Sequence, residues 1–210
     1  MLPSDPKLYA ILDLGYVSAT DAEEVTRELL KGGADLLQLR AKGKELDLIR
    51  DVASRLIPLC REAQVPFILN DFPEMAAGLD ADGVHIGQDD GEIAAVRKIV
   101  GPGKIVGRST HSLNQARAAL AEGADYIGFG PLFPTPTKPG RPAIGLENIP
   151  IMEAEVGSAL PAFCIGGINR TTLPLVINSG ARRIVVVSDL LQAENISEAA
   201  RFFKDSLNHS

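Results

Sequence analysis

The sequence predicts an α/β fold, a single-domain (β/α)8 TIM barrel spanning residues 1–210. Three observations lead there. Eight short runs rich in Val, Ile, Leu or Phe recur along the chain, and segments with helical spacing separate them. The phrases KGGADLL (31–37), AEGADYI (121–127) and NSGARRI (178–184) repeat one event: a helix ends, glycine turns the chain, the next strand begins. Strands alternating with helices bury a parallel sheet beneath those helices, and eight is the number that closes a barrel. An open, doubly wound sheet is the alternative. The G-x-G-x-x-G dinucleotide fingerprint is missing after the first run, which weakens it.

The elements follow in order. LYAILDL (8–14) is the first strand, and Thr20 to Glu23 carries the capping-box pattern of a helix start. Gly32-Gly33 supplies a left-handed helix end. LLQLR (36–40), FILND (67–71), GVHIG (83–87) and KIVGRST (104–110) are strands two to five. Ser112 to Gln115 repeats the capping box and Gly123 closes that helix. YIGFGPL (126–132), AFCIGGI (162–168) and RIVVVSDL (183–190) complete the set, with Gly180 ending the helix before the last. The stretch GPLFPTPTKPG (130–140) holds four prolines, which exclude it from helix interior and central strand.

Composition narrows the function. The chain is 45% hydrophobic and 23% charged, enough for a sizeable core, and with 5% aromatic residues and no tryptophan that core is aliphatic. A net charge of −6 argues against nucleic-acid binding but leaves small anionic substrates open. Cys60 and Cys164 lack metal-ligand spacing and read as buried thiols. MLPSDPK offers no apolar stretch of signal-peptide length, and no run is long enough to span a bilayer, so a cytoplasmic protein is expected.

In a barrel the C-terminal strand ends share one mouth, where active sites are built. Strand two ends in Gln38, Arg40 and Lys42, whose spacing puts them on one side of an extended chain. Strand three ends in Asn70-Asp71, strand four is followed by Gln88-Asp89-Asp90, and strand five ends in Ser109-Thr110-His111. Strand six runs into the proline loop, strand seven ends in Gly166-Gly167 and strand eight in Ser188-Asp189. Each cluster alone has a plainer reading as a turn, a helix cap or, for His85, a satisfied core histidine. Together they carry the chemistry of two anion sites. Asp71 and Asp90 have the donors for Mg²⁺ completed by water and phosphate. Arg40, Lys42 and Lys138 supply positive charge. Gly166-Gly167 and Ser188 lie where barrels bind phosphate through backbone amides. That pattern suits an enzyme handling a diphosphate and a monophosphate together.

QLRAK (38–42), ND (70–71), ADGVHIGQDD (81–90), STHS (109–112), GADYIGFGPLFPTPTK (123–138), IGGI (165–168) and VVVSDL (185–190) resemble the thiamine-phosphate synthase family over most of the chain. The resemblance implies a (β/α)8 barrel that joins 4-amino-5-hydroxymethyl-2-methylpyrimidine diphosphate to 4-methyl-5-(2-phosphoethyl)-thiazole, releasing pyrophosphate and requiring Mg²⁺. It implies that Gln38, Arg40, Lys42 and Asn70 hold the pyrimidine diphosphate and that Asp71 and Asp90 bind the metal. It places Ser109 on the pyrimidine and Lys138 on the diphosphate, with Arg40 and Lys42 beside them as catalytic charge. Thr135, Thr137, Gly167, Val187 and Ser188 would face the thiazole phosphate. The implied partners are these two small molecules, with no nucleic acid and no membrane; a homo-oligomer is left open. Two rivals remain: a thiazole tautomerase on the same barrel, using His111 as acid and base, and a non-catalytic barrel that binds thiamine intermediates. The joint presence of Lys42, Asp71, Asp90 and Lys138 favours the synthase.

Overall fold

The computed structural model describes residues 1–135 and 142–208. Eight parallel strands close on themselves in sequence order: β1 (Leu8–Asp13), β2 (Leu36–Arg40), β3 (Phe67–Asn70), β4 (Gly83–Ile86), β5 (Ile105–Thr110), β6 (Tyr126–Phe129), β7 (Ala162–Cys164) and β8 (Ile184–Val186). Pairing of β1 with both β2 and β8 shuts the barrel. Around it run α1 (Ala22–Lys31), α2 (Leu46–Glu62), α3 (Pro73–Gly78), α4 (Ile93–Val100), α5 (Leu113–Ala121), α6 (Ile149–Met152), α7 (Leu173–Asn178), α8 (Ser188–Leu191) and α9 (Ile196–Asn208). A π-helical turn, Glu153–Gly157, continues α6.

Strand alternation divides the core in two. Leu8, Ala10 and Leu12 of β1 point outward and pack with Leu29 and Phe203 of the helical layer. Tyr9 and Ile11 point inward and join Leu36, Ile68, Ile105, Tyr126, Phe163 and Val185 in a separate cluster that plugs the lumen. A covered parallel strand buries both faces, which is why these runs are almost continuously apolar. Among the described residues no helix is long and apolar enough to cross a membrane.

The repeated glycine phrase does what its pattern predicts. Gly33, Gly123 and Gly180 have φ of 92°, 82° and 93°, the left-handed C-terminal turn that glycine adopts without a Cβ penalty. The aspartate beside it has a second task. Asp35 and Asp125 each donate a backbone N–H to the preceding strand's first turn, at Leu8 O (2.8 Å) and Val106 O (2.9 Å). Their carboxylates accept the N–H groups of Leu8 (3.0 Å) and Val106 (2.7 Å) in return. Asp82 repeats this clasp on Phe67. These reciprocal pairs satisfy strand-end amides that the helical layer leaves open.

One capping expectation holds and one fails. Ser112 accepts the Gln115 N–H at 3.2 Å, while the Gln115 side chain accepts from the His111 N–H at 2.7 Å, one residue earlier than the box pattern predicts. Thr20 does not cap α1. The chain enters that helix through a tight turn closed by Asp21 N–H to Ser18 O, and the Thr20 hydroxyl is taken up by Ser18 at 2.7 Å.

Candidate active site

A cavity of about 320 Å³ opens at the C-terminal ends of the strands. Its floor is polar, although the lumen beneath it is apolar. Gln38 donates Nε2–H to the Tyr9 hydroxyl at 2.6 Å, and that hydroxyl lies 2.7 Å from the Tyr126 hydroxyl. Tyr126 meets His85 Nδ1 at 3.0 Å, and His85 Nε2 meets Ser109 Oγ at 2.9 Å. His85 is therefore bonded through both ring nitrogens, as the core-histidine reading expects. The strand register builds this row: Asn70 sits beside His85, His85 beside Gly107, and Ser109 beside Gly128. Gly107 is required here, because a Cβ at that position would overlap the Tyr126 ring. Burial holds both phenols well above their ordinary pKa, although the hydrogen-bonded contacts with Tyr126 and Gln38 pull Tyr9 partly back.

The opposite wall joins two loops. Leu132 N–H donates to Ile165 O (2.8 Å) and Phe133 N–H to Gly166 O (3.0 Å), which stitches the start of the proline loop to the turn after β7. Gly166 and Gly167 have φ of 99° and 68°. A Cβ on the first would strike Pro131, and on the second Phe133, so only glycines allow this approach. Thr172 Oγ1 donates to Gly167 O at 2.9 Å and fixes the turn from behind. Among the described residues the amides of Gly166 and Gly167 donate to no acceptor. Consecutive amides of this kind suit an anion. Thr135, Val187 and Ser188 line the same side of the cavity. Asp189 instead borders a second, shallower depression that shares Ser188 and Asn169 with the main one.

The structure brings Gln38, Arg40, Asn70, Ser109, His111, Thr135, Gly167, Val187 and Ser188 to one cavity. It does not bring Lys42 there. β2 ends at Arg40, and a turn from Ala41 to Lys44, with Gly43 at φ 74°, breaks the alternation that would have aligned Lys42 with Gln38. Lys42 is exposed on that turn. Arg40 carries an ion pair with the buried Asp13, so part of its charge is already matched. His111 spends Nδ1 on Gly130 O. Thr137 and Lys138 lie outside the described residues.

Asp71 and Asp90 leave neighbouring strands beside the cavity rather than among the residues lining it. Asp71 has φ 69° and donates its N–H to His85 O at 2.9 Å. Asp90 closes its own loop, accepting the Gly87 N–H through Oδ2 at 2.7 Å. Among the described residues no three acidic, His or Cys side chains cluster as a metal site. Two carboxylates completed by phosphate oxygens fit Mg²⁺, which is commonly held by one or two carboxylates plus substrate phosphate.

Sequence reasoning missed Arg108. It is 8% exposed and reaches from β5 to Gly91 O (2.5 Å) and Gln88 O (3.1 Å), while Gln88 Nε2 donates to Ser109 O at 2.5 Å. β5 thus holds the loop that carries Asp90 at three points. Tyr9, Tyr126 and Asp13 were missed as well. A Tyr inside an apolar run gives no sign of which hydroxyl it will meet. The two thiols are as expected: burial pushes Cys60 up to about 12 and Cys164 higher still.

A closed parallel barrel with a polar-floored cavity and a glycine amide pair at its mouth defines an enzyme that handles a phosphorylated small molecule. Comparison with known proteins narrows this. Residues 8–190 match the family model described as thiamine monophosphate synthase. A thiamine-phosphate synthase of Chlorobium luteolum is 42% identical over 210 residues, covering 98% of this chain and 95% of that one. A thiamine-phosphate synthase of Nostoc sp. is 43% identical over 180 residues, where the match covers 85% of this chain but 50% of the relative's length. The solved thiamine phosphate pyrophosphorylase from Pyrococcus furiosus superposes with a TM-score of 0.85 at 32% identity, over 98% of this chain and 96% of that one. The chain belongs to the thiamine monophosphate synthase family, whose members are transferases of thiamine biosynthesis.

Proposed function

We propose that this chain joins 4-amino-5-hydroxymethyl-2-methylpyrimidine diphosphate to 4-methyl-5-(2-phosphoethyl)-thiazole, with release of pyrophosphate, as a cytoplasmic enzyme. The observation that supports it best is the two-sided cavity. Gln38, Asn70 and Ser109 give one side the hydrogen-bonding groups for a heterocycle, and the Gly166-Gly167 amides with Ser188 give the other side an anion site. An enzyme that must hold two substrates against each other needs two such subsites in one enclosed volume.

Asp71 and Asp90 would hold Mg²⁺, which supplies charge neutralisation for the departing pyrophosphate. Arg40 lines the cavity, and its guanidinium, oriented by Asp13, serves the diphosphate. Lys42 and Lys138 add to that charge. Thr135, Thr137, Gly167, Val187 and Ser188 hold the thiazole phosphate so that its ring nitrogen lies in line with the breaking bond. Bond breaking precedes bond making, because the aminopyrimidine stabilises the methyl cation left behind. The apolar wall of Ile11, Phe133, Ile165 and Val187 keeps water from that cation. No protein nucleophile takes part. The protein's contribution is orientation and fixed electrostatics. Incubating the purified chain with both substrates and Mg²⁺ should yield thiamine monophosphate and pyrophosphate in equal amounts. Folded protein that forms neither would overturn the proposal.

A further inference from the structure

We propose that Tyr9, Tyr126 and His85 are positioning residues that give the cavity floor a set hydrogen-bond polarity, with an acceptor at Gln38 and a donor at Ser109. Protons can be counted along the chain of contacts. Gln38 Nε2 is a donor and Tyr9 O receives it. The Tyr9 phenol has one proton, is 1% exposed, and has Tyr126 O as its other polar neighbour at 2.7 Å. It therefore donates to Tyr126. Tyr126, fully buried, has its own proton left for His85 Nδ1 at 3.0 Å. Nδ1 is then the lone-pair nitrogen and Nε2 carries the ring proton, which goes to Ser109 Oγ at 2.9 Å. Ser109 is left with its hydroxyl proton to give to the cavity, and Gln38 with Oε1 to accept from it. Burial keeps both phenols protonated, so the count does not change near neutral pH.

The two ends are coupled. Every member passes on one proton, so reversing one end requires reversing all five. A floor with one acceptor and one donor matches an aromatic edge that has an amino group beside a lone-pair ring nitrogen. The amino N–H meets Gln38 and the ring nitrogen meets Ser109. An oxo group beside a ring N–H presents the opposite pattern and sets acceptor against acceptor and donor against donor. Buried mismatches of this kind discriminate more strongly than shape does. The ligand half of this inference rests on the aminopyrimidine reading proposed above. The tautomer half stands on the protein alone.

The test has matching halves. The chain has three histidines, so ¹⁵N-histidine labelling with long-range ¹H–¹⁵N correlation resolves each ring, and spectra of His111→Gln and His209→Gln assign His85 by elimination. His85 should show a protonated Nε2 and an unprotonated Nδ1. A protonated Nδ1, or a mixture, overturns the polarity. Tyr9→Phe should loosen that pattern, because Tyr126 then no longer receives the proton that commits its own to His85. Tyr126→Phe should release it to a mixture. An unchanged pattern in Tyr126→Phe would mean the relay does not set the tautomer. For the ligand half, the 4-oxo analogue of the pyrimidine diphosphate should compete roughly a hundredfold more weakly than the amino substrate binds. Tyr126→Phe should shrink that ratio to about tenfold while leaving the KM for thiazole phosphate unchanged. Turnover of the amino substrate with less than tenfold discrimination in the unmodified enzyme would overturn the ligand half and spare the synthase. Absence of turnover would overturn the synthase and the ligand half together, with the His85 pattern still deciding the relay.

Discussion

Replacing Arg108 with alanine tests whether β5 sets the posture of the Asp90 loop. The guanidinium donates to Gly91 O at 2.5 Å and to Gln88 O at 3.1 Å, bracketing Asp89 and Asp90. Hydrogen bonds from a charged donor contribute about 1.5–3 kcal/mol each when their acceptor is left unsatisfied. Here Asp89, Asp90 and Gly91 are exposed, so water recovers much of that for the freed carbonyls. The net loss for the pair is then about 1.5 kcal/mol, concentrated in the loop. If Asp90 must be held in place to share Mg²⁺ with Asp71, the same energy is drawn from metal affinity, and about 1.4 kcal/mol is tenfold. The Mg²⁺ concentration giving half-maximal pyrophosphate release should therefore rise about tenfold in Arg108→Ala. The rate at saturating Mg²⁺ should stay within about threefold of the original. Arg108→Lys, which keeps the charge but loses the two-pronged geometry, should fall between. A thermal melt and Mn²⁺ binding in the presence of inorganic pyrophosphate complete the assay. A folded Arg108→Ala protein with an unmoved Mg²⁺ curve refutes the positioning argument if Asp90→Asn does move it. If neither moves it, the metal assignment itself fails.

Asp71→Asn should raise the Mg²⁺ requirement and lower the rate, with excess Mg²⁺ restoring part of it; a lowered melting temperature with an unaltered Mg²⁺ curve would reduce Asp71 to a turn residue. Lys138→Ala should slow bond formation about a hundredfold in a single turnover, or ~3 kcal/mol, and change thiazole phosphate binding far less; an unchanged rate would remove Lys138 from the chemistry. Gly107→Ala should cost about 1–3 kcal/mol of stability and displace Tyr126, because the added methyl overlaps its ring; a wild-type melting temperature would contradict the packing of the floor. Glu153 is 5% exposed, and burial raises its carboxyl above 4.5 despite the Arg182 N–H, Arg183 and Lys7. Its protonated form is favoured in the fold, so that stability is present below pH 4.5 and lost as pH rises through the raised folded value. Glu153→Gln should therefore match the original at low pH and exceed it at pH 8, as chemical denaturation at the two pH values would show; lower stability at both would refute it.

The barrel was legible in the sequence because its causes are local. Apolar runs of strand length, helical spacing between them and a glycine at each of three helix ends are properties of neighbouring residues, and they hold at Gly33, Gly123 and Gly180 as expected. Once the strands are placed, topology carries their C-terminal ends to one mouth, so most candidate residues were found by position alone. Where local pattern met a competing local option, it misled. Thr20 had the cap sequence, yet the turn at Ser18–Asp21 took its hydroxyl. Lys42 had strand spacing, yet the strand stops two residues before it.

What only the tertiary structure decided is which groups meet across the lumen. Tyr9 and Tyr126 are 117 residues apart and share a hydrogen bond because strands one and six face each other inside a closed barrel. Arg108 looks like one of three polar residues closing β5 until the loop after β4 lies against it. Gly166-Gly167 reads as a turn until the proline loop packs where side chains would have been. Periodicity records whether a residue faces inward or outward; the partner it finds there depends on barrel closure and register, which no stretch of neighbouring residues contains.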